Sequence, residues 1–119
     1  MTKEEFFHDW LVSYLQRRMA RDYKEITANY QDEKKHEFEG HYPDLILANR
    51  GMVLAIMEVE TEESITPERA ERWKELAGLG VKLILMVPAH ARPKVMDLVW
   101  QRGLADKVGV GSYEINIKM

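Results

Sequence analysis

Two runs of strand formers around a turn, followed at once by a strongly capped helix, constrain this chain more than any other feature. "PDLILA" (43–48) and "MVLAIMEVE" (52–60) flank Asn49-Arg50-Gly51. Gly51 can supply a positive φ, so the segment predicts a β-hairpin closed by a three-residue loop. Both runs are apolar on both faces over most of their length, which predicts a sheet covered on two sides. "SITPERAERWKELAGLG" (64–80) then reads as a helix. Thr66 suits the N-cap, Pro67 the first position and Glu68 the first turn, and Gly78 and Gly80 can end it. "VKLILMVP" (81–88) is a short buried strand. A helical crossover makes 82–87 parallel to 52–60, with a right-handed connection.

The flanking segments complete the order. Residues 3–21 read as a helix, with Phe7, Leu11, Tyr14, Leu15 and Arg18 at helical spacing and Phe6 and Trp10 widening the stripe. "YKEITANY" (23–30) alternates and predicts a strand; the polar stretch after it predicts turns, which His36–Glu39 could instead extend as a strand. "RPKVMDLVWQRG" is a third helix, with Val95, Leu98, Val99 and Arg102 on one face. Trp10, Trp73 and Trp100 all fall on apolar helix faces and are expected in the core. "VGVGSYEINIK" is a last strand at a sheet edge. The predicted order is α-β-β-β-α-β-α-β, a mixed sheet with helices on both faces.

At 119 residues the chain fits one domain, 1–119. Hydrophobic residues make up 45% of it, enough for one core, and the absence of cysteine excludes disulfides, thiolate zinc sites and a cysteine nucleophile. The N-terminal residues carry charge throughout, unlike a signal peptide, and no apolar run approaches a membrane span, so a soluble cytoplasmic protein is expected. A net charge of −3 leaves no global nucleic-acid footprint. The charge is uneven, however: Arg17, Arg18, Arg21 and Lys24 cluster, then Lys34 and Lys35, then Arg69, Arg72 and Lys74. Each cluster is either ordinary solvated surface or part of a basic strip beside an acidic centre.

That centre is the hairpin. Asp44, Glu58 and Glu60 lie in or beside its apolar runs, where charges are rare unless paired or metal-bound. Alternation puts Glu58 and Glu60 on one face. A three-residue loop sets Ala48 opposite Met52 and Asp44 opposite Ile56, which makes Glu58 a diagonal neighbour of Asp44 on the same face. A slip of one residue would separate them. Three converging acids need raised pKa values or a cation. Mg²⁺ or Mn²⁺ on such a set can activate water and stabilise phosphoryl displacement. The simpler reading is that Asp44 caps a turn and that Glu58 and Glu60 leave the core with Glu62 and Glu63.

Pro43-Asp44, thirteen residues, then Glu58-Val59-Glu60, across a tight hairpin in the order α-β-β-β-α-β, resembles the PD-(D/E)xK superfamily of restriction-endonuclease-like nucleases. The resemblance covers residues 3 to about 88. It implies an α/β fold with the restriction-endonuclease-like core, to which this chain adds a helix and a C-terminal strand. It also implies metal ligands at Asp44 and Glu58, Mg²⁺ or Mn²⁺ as cofactor, and hydrolysis of phosphodiester bonds, of DNA above all. Glu60 stands where the family usually has lysine; a glutamate there could bind metal or orient water but cannot supply positive charge. Arg69 is the residue placed to replace that charge, although an ion pair with Glu62 or Glu63 is its ordinary role. Lys74 faces elsewhere and Lys82 starts the next strand at the far end. The family often adds an acid from the first helix, and Glu4, Glu5 and Asp9 are equal candidates. His36 and His41 lie near the motif, where a surface role is the ordinary one. The missing lysine also fits a catalytically inactive module that binds nucleic acid or protein. A homodimer through the apolar last strand would enlarge a nucleic-acid contact surface.

Overall fold

The computed structural model describes residues 2–116. The element order is α1 (Lys3–Met19), β1 (Glu25–Ala28), β2 (Leu45–Asn49), β3 (Met52–Val59), α2 (Pro67–Ala77), β4 (Lys82–Pro88), a 3-10 turn at Ala89–Ala91, α3 (Arg92–Gln101) and β5 (Val108–Tyr113). The five strands form one mixed sheet in the order β1-β2-β3-β4-β5. The β1–β2 and β2–β3 pairs are antiparallel, and the β3–β4 and β4–β5 pairs are parallel. The sequence order therefore holds, and β5 lies at an edge.

Helix caps explain where the helices begin. Thr2 and Glu5 form a capping box on α1: the Glu5 N–H donates to Thr2 Oγ1 at 3.1 Å, and the Thr2 N–H donates to Glu5 Oε1 at 3.2 Å. Thr66 Oγ1 accepts from the Arg69 N–H at 3.1 Å, with Pro67 opening α2. Helix α1 stops at Met19 rather than residue 21, because the N–H groups of Asp22 and Tyr23 both turn back to the Met19 carbonyl. Strand β1 is shorter than 23–30 at both ends. The Lys24 N–H is taken by Asn49 Oδ1, and the Asn29 side chain turns into the following loop.

The sheet separates two apolar layers. On one face Leu11, Val12 and Leu15 of α1 pack against Leu45, Leu47, Ala55, Met57 and Val59. On the other, Trp73 and Leu76 of α2 and Val95 and Val99 of α3 pack against Ile46, Ile56, Leu83 and Leu85. Of the three tryptophans only Trp73 is core. Trp10 is 46% and Trp100 is 75% exposed. The face of α1 that meets the sheet carries His8, Leu11, Val12 and Leu15, while Phe6, Trp10 and Tyr14 form a separate row that meets solvent. On α3 the buried set is Val95, Leu98 and Val99, and one further residue, 100° round the helix, turns Trp100 away.

The hairpin register decides where the acids go. The turn is Arg50-Gly51 alone, with both residues at positive φ (52° and 76°), as a two-residue hairpin turn requires. Asn49 therefore pairs with Met52, not Ala48. That one-residue change would carry Asp44 to the opposite face from Glu58. A β-bulge cancels it: Ala48 pairs with Val53 but Leu47 with Ala55, so Leu54 is the extra residue. Beyond it Leu45 pairs with Met57, and the next step sets Asp44 directly across from Glu58. The two offsets restore the parity, and the acids meet more closely than a diagonal pair.

Candidate functional site

Asp44 immediately precedes β2, Glu58 lies near the end of β3 and Glu60 just beyond it. All three are buried, at 8%, 1% and 0% exposure. The Asp44 N–H donates to Glu58 Oε2 at 2.9 Å, and Asp44 Oδ2 accepts from the Val59 N–H at 2.7 Å. The strand ends thus hold the carboxylates through backbone groups as well as through side chains.

Each acid then receives its own cationic partner. His8 Nε2 lies 3.1 Å from Asp44 Oδ2. Arg72 Nε donates to Glu58 Oε1 at 2.8 Å. Arg69 Nε donates to both oxygens of Glu60, at 3.0 and 2.9 Å, and Ser64 Oγ adds a third bond at 3.1 Å. Arg69 also reaches toward Glu58, with Nη2 4.0 Å from Oε1. Arg69 is therefore drawn to the hairpin acids and not to Glu62, which pairs with His90, or to Glu63. Arg69 and Arg72 stand about one turn apart on α2, which the capped start of that helix aims at the end of β3. From the next strand but one, Tyr113 Oη donates to the Glu60 carbonyl at 2.9 Å.

The first helix contributes more than its acids. His8 is buried and projects from the α1 face that also carries Leu11, Val12 and Leu15. Asp9 braces it, with Oδ1 3.3 Å from His8 Nδ1 and also accepting from the Gln31 N–H at 3.2 Å. Glu4 Oε1 accepts from Thr61 Oγ1 at 2.8 Å, one residue past Glu60, and Glu5 serves only the cap. Lys74 is exposed and faces away; Lys82 pairs with Ala55, far along β3 from Glu60. His36 and His41 contribute backbone bonds to the loop before β2 rather than side chains to the acids.

Asn29 fixes that loop. Only 2% exposed, it donates from Nδ2 to the carbonyls of His36 and Pro43, both at 2.8 Å, and accepts on Oδ1 from the N–H groups of Lys35 and His36. Its own N–H donates to the Asp44 carbonyl. We expect Asn29→Ala to cost about 2 kcal/mol, because four hydrogen bonds, one of them fully buried, lose their partner at once. Urea unfolding measures it, and a midpoint equal to the parent's would remove Asn29 from this role.

Electrostatics follow from burial. Burial and then the Asp44 carboxylate push Glu58 up to about 8, with Arg72 opposing. Burial raises Glu60 too, against Arg69. Burial alone would lower His8, but Asp44 and then Asp9 overcome it and raise it to about 9. The acids do not face open solvent: a cleft of about 610 Å³ lies beside them, lined by Glu4, Thr61, Glu62, Pro88, His90 and Tyr113 among others, and not by Asp44, Glu58 or Glu60. It sits at the carboxyl ends of the three parallel strands, where open α/β sheets bind ligands.

A divalent cation does not fit the acids as they stand. Hard cations take several oxygen ligands, yet both oxygens of Glu58 and of Glu60 already accept N–H donors, as does Asp44 Oδ2. Among the described residues no group of three or more His, Asp or Glu is arranged to hold a metal ion. None of them belongs to a helix long and apolar enough to cross a membrane. The fold and site define a mixed α/β domain with a buried acid–arginine–histidine network at the end of its central strand. Comparison with known protein families, with curated proteins and with solved structures finds no match.

Proposed function

We propose that the chain is a restriction-endonuclease-like module that binds nucleic acid without cutting it, its acid cluster retained as an ion-paired network. One observation carries this reading: Asp44, Glu58 and Glu60 each have a cationic partner in place, with Arg69 on the residue that replaces the usual lysine. Burial and the Asp44 carboxylate raise Glu58, so a bound Mg²⁺ would also have to displace a proton there. The element order and the Pro43-Asp44…Glu58-Val59-Glu60 pattern support the nuclease-like ancestry.

Incubation with supercoiled and single-stranded DNA in Mg²⁺ or Mn²⁺ is expected to leave the DNA intact, and calorimetry to show no Mn²⁺ uptake at the acids. Mn²⁺-dependent cleavage that vanishes in Asp44→Ala and Glu58→Ala, with folding preserved, would overturn the reading. It would establish the second one, a metal-dependent deoxyribonuclease with Asp44, Glu58 and Glu60 as ligands. That alternative has its own support: the Arg69 and Arg72 side chains are 32% and 33% exposed and lie on one helix, so both could withdraw together.

A further inference from the structure

The solvent face of α1 is a strip of aromatic and basic side chains. Lys3, Phe6, Trp10, Tyr14 and Arg17 recur at intervals of three and four residues, so they share one side of the helix. Phe6, Trp10 and Tyr14 are 67%, 46% and 44% exposed. The Trp10 and Tyr14 rings lie 5.8 Å apart and 23° from parallel, and Phe7 continues the stack at 6.4 Å. Tyr14, Arg17, Arg18 and Arg21 surround a hollow of about 250 Å³ at the C-terminal end of the strip. Arg17 is held on this side by Ser13, to whose Oγ it donates at 3.0 Å.

No acid of α1 interrupts the strip, and the nearest in sequence to its basic end is Asp22, beyond the helix. The three acids of α1 fall on its other half and are engaged there: Glu5 in the cap, Glu4 on Thr61 and Asp9 beside His8. A chain of net charge −3 thus keeps an uninterrupted cationic and aromatic face on one helix.

We infer that this face binds single-stranded nucleic acid, with bases stacked on Trp10 and Tyr14 and phosphates held by Arg17, Arg18 and Arg21. The inference rests on the nucleic-acid-binding reading above and assigns its surface and its strand state. Exposed rings can stack only bases that are not already stacked in a duplex, and positive side chains beside them follow the backbone. The helix is roughly 25 Å long, room for about four nucleotides. A second copy of the chain fits less well. Face to face, in either direction, two such strips bring cations together with no acid to offset them.

The test is fluorescence anisotropy with a labelled oligothymidylate, at two salt concentrations, on the full chain. Trp10→Ala is expected to weaken binding about tenfold and Trp10→Phe to restore most of it. Arg17→Glu with Arg21→Glu is expected to weaken it further and to reduce the salt slope by about 1.4. These side chains are exposed, so thermal unfolding should stay within a few degrees of the parent. Binding that survives all three changes would overturn the strip while leaving the nucleic-acid reading in place. Preference for duplex over oligothymidylate would overturn the single-strand assignment. No binding to either nucleic acid would end both readings. Self-association lost in Trp10→Ala, seen by sedimentation without any nucleic-acid binding, would give the face to a second copy instead.

Discussion

Arg69→Met is expected to destabilise the protein by about 3 kcal/mol, the largest loss from any single change outside the apolar core. The reason lies in its partner. Glu60 is wholly buried, and Arg69 supplies two of the three side-chain hydrogen bonds that its carboxylate accepts. Removing the guanidinium leaves the buried carboxyl with only Ser64, so it must stay charged without a counter-ion or take up a proton, and either costs stability at neutral pH. Breaking such a pair costs about 3–5 kcal/mol when both partners are dry. Arg69 is 32% exposed, which places the expected loss at the lower end of that range. Arg72→Met should cost less. Its partner Glu58 is raised to about 8 and can keep its proton when the arginine leaves. The double change Arg69→Met with Glu60→Gln should recover most of the loss, since the amide needs no counter-charge. Urea unfolding of the four proteins in the cycle reads the coupling directly. If Arg69→Met unfolds at the parent's midpoint, the pair does not hold the end of β3 and the network loses its structural role.

The boundaries of α2 were legible because Thr66, Pro67 and Gly78 act locally on the chain that carries them. The convergence of Asp44, Glu58 and Glu60 was legible for a different reason: side-chain parity survives any even error in register. The loop was one residue shorter than the Asn49-Arg50-Gly51 reading, and the bulge at Leu54 was invisible, yet together they moved Asp44 by two places. What surrounds the acids was less accessible. His8 could have been found, since it shares the three- and four-residue spacing of Leu11, Val12 and Leu15 that defines the buried face. Phe6, Trp10 and Tyr14 obey the same spacing on the opposite side, and period alone does not say which row meets the sheet. Arg72 and Asn29 had no local signal. One acts through a turn of helix against a strand 14 residues away in sequence, the other through backbone groups of a loop with no regular pattern.

Stability should fall by several kcal/mol as pH rises from 5 to 9, most steeply between about 6.5 and 8. Glu58 is raised from 4.5 to about 8, so over that window the folded state holds a proton that the unfolded chain releases. His8 is raised from 6.5 to about 9, and the same holds over its own window. In both cases the stabilisation is complete below the unfolded pKa and lost as pH passes the folded one. The windows overlap between 6.5 and 8, where each bound proton contributes a slope of up to about 1.4 kcal/mol per pH unit. Asp44 couples the two groups, which keeps the total well short of the sum for independent sites. The raised Glu60 adds to the slope with the same sign. Replacing Asp44 by asparagine removes the charge that raises His8 and adds to the effect of burial on Glu58, and should flatten the profile as well as lower it. Urea midpoints at pH 5, 7 and 9 decide the matter: a midpoint that holds level or rises across this range would mean that Glu58 is ionised throughout, and that Arg72 outweighs both its burial and Asp44.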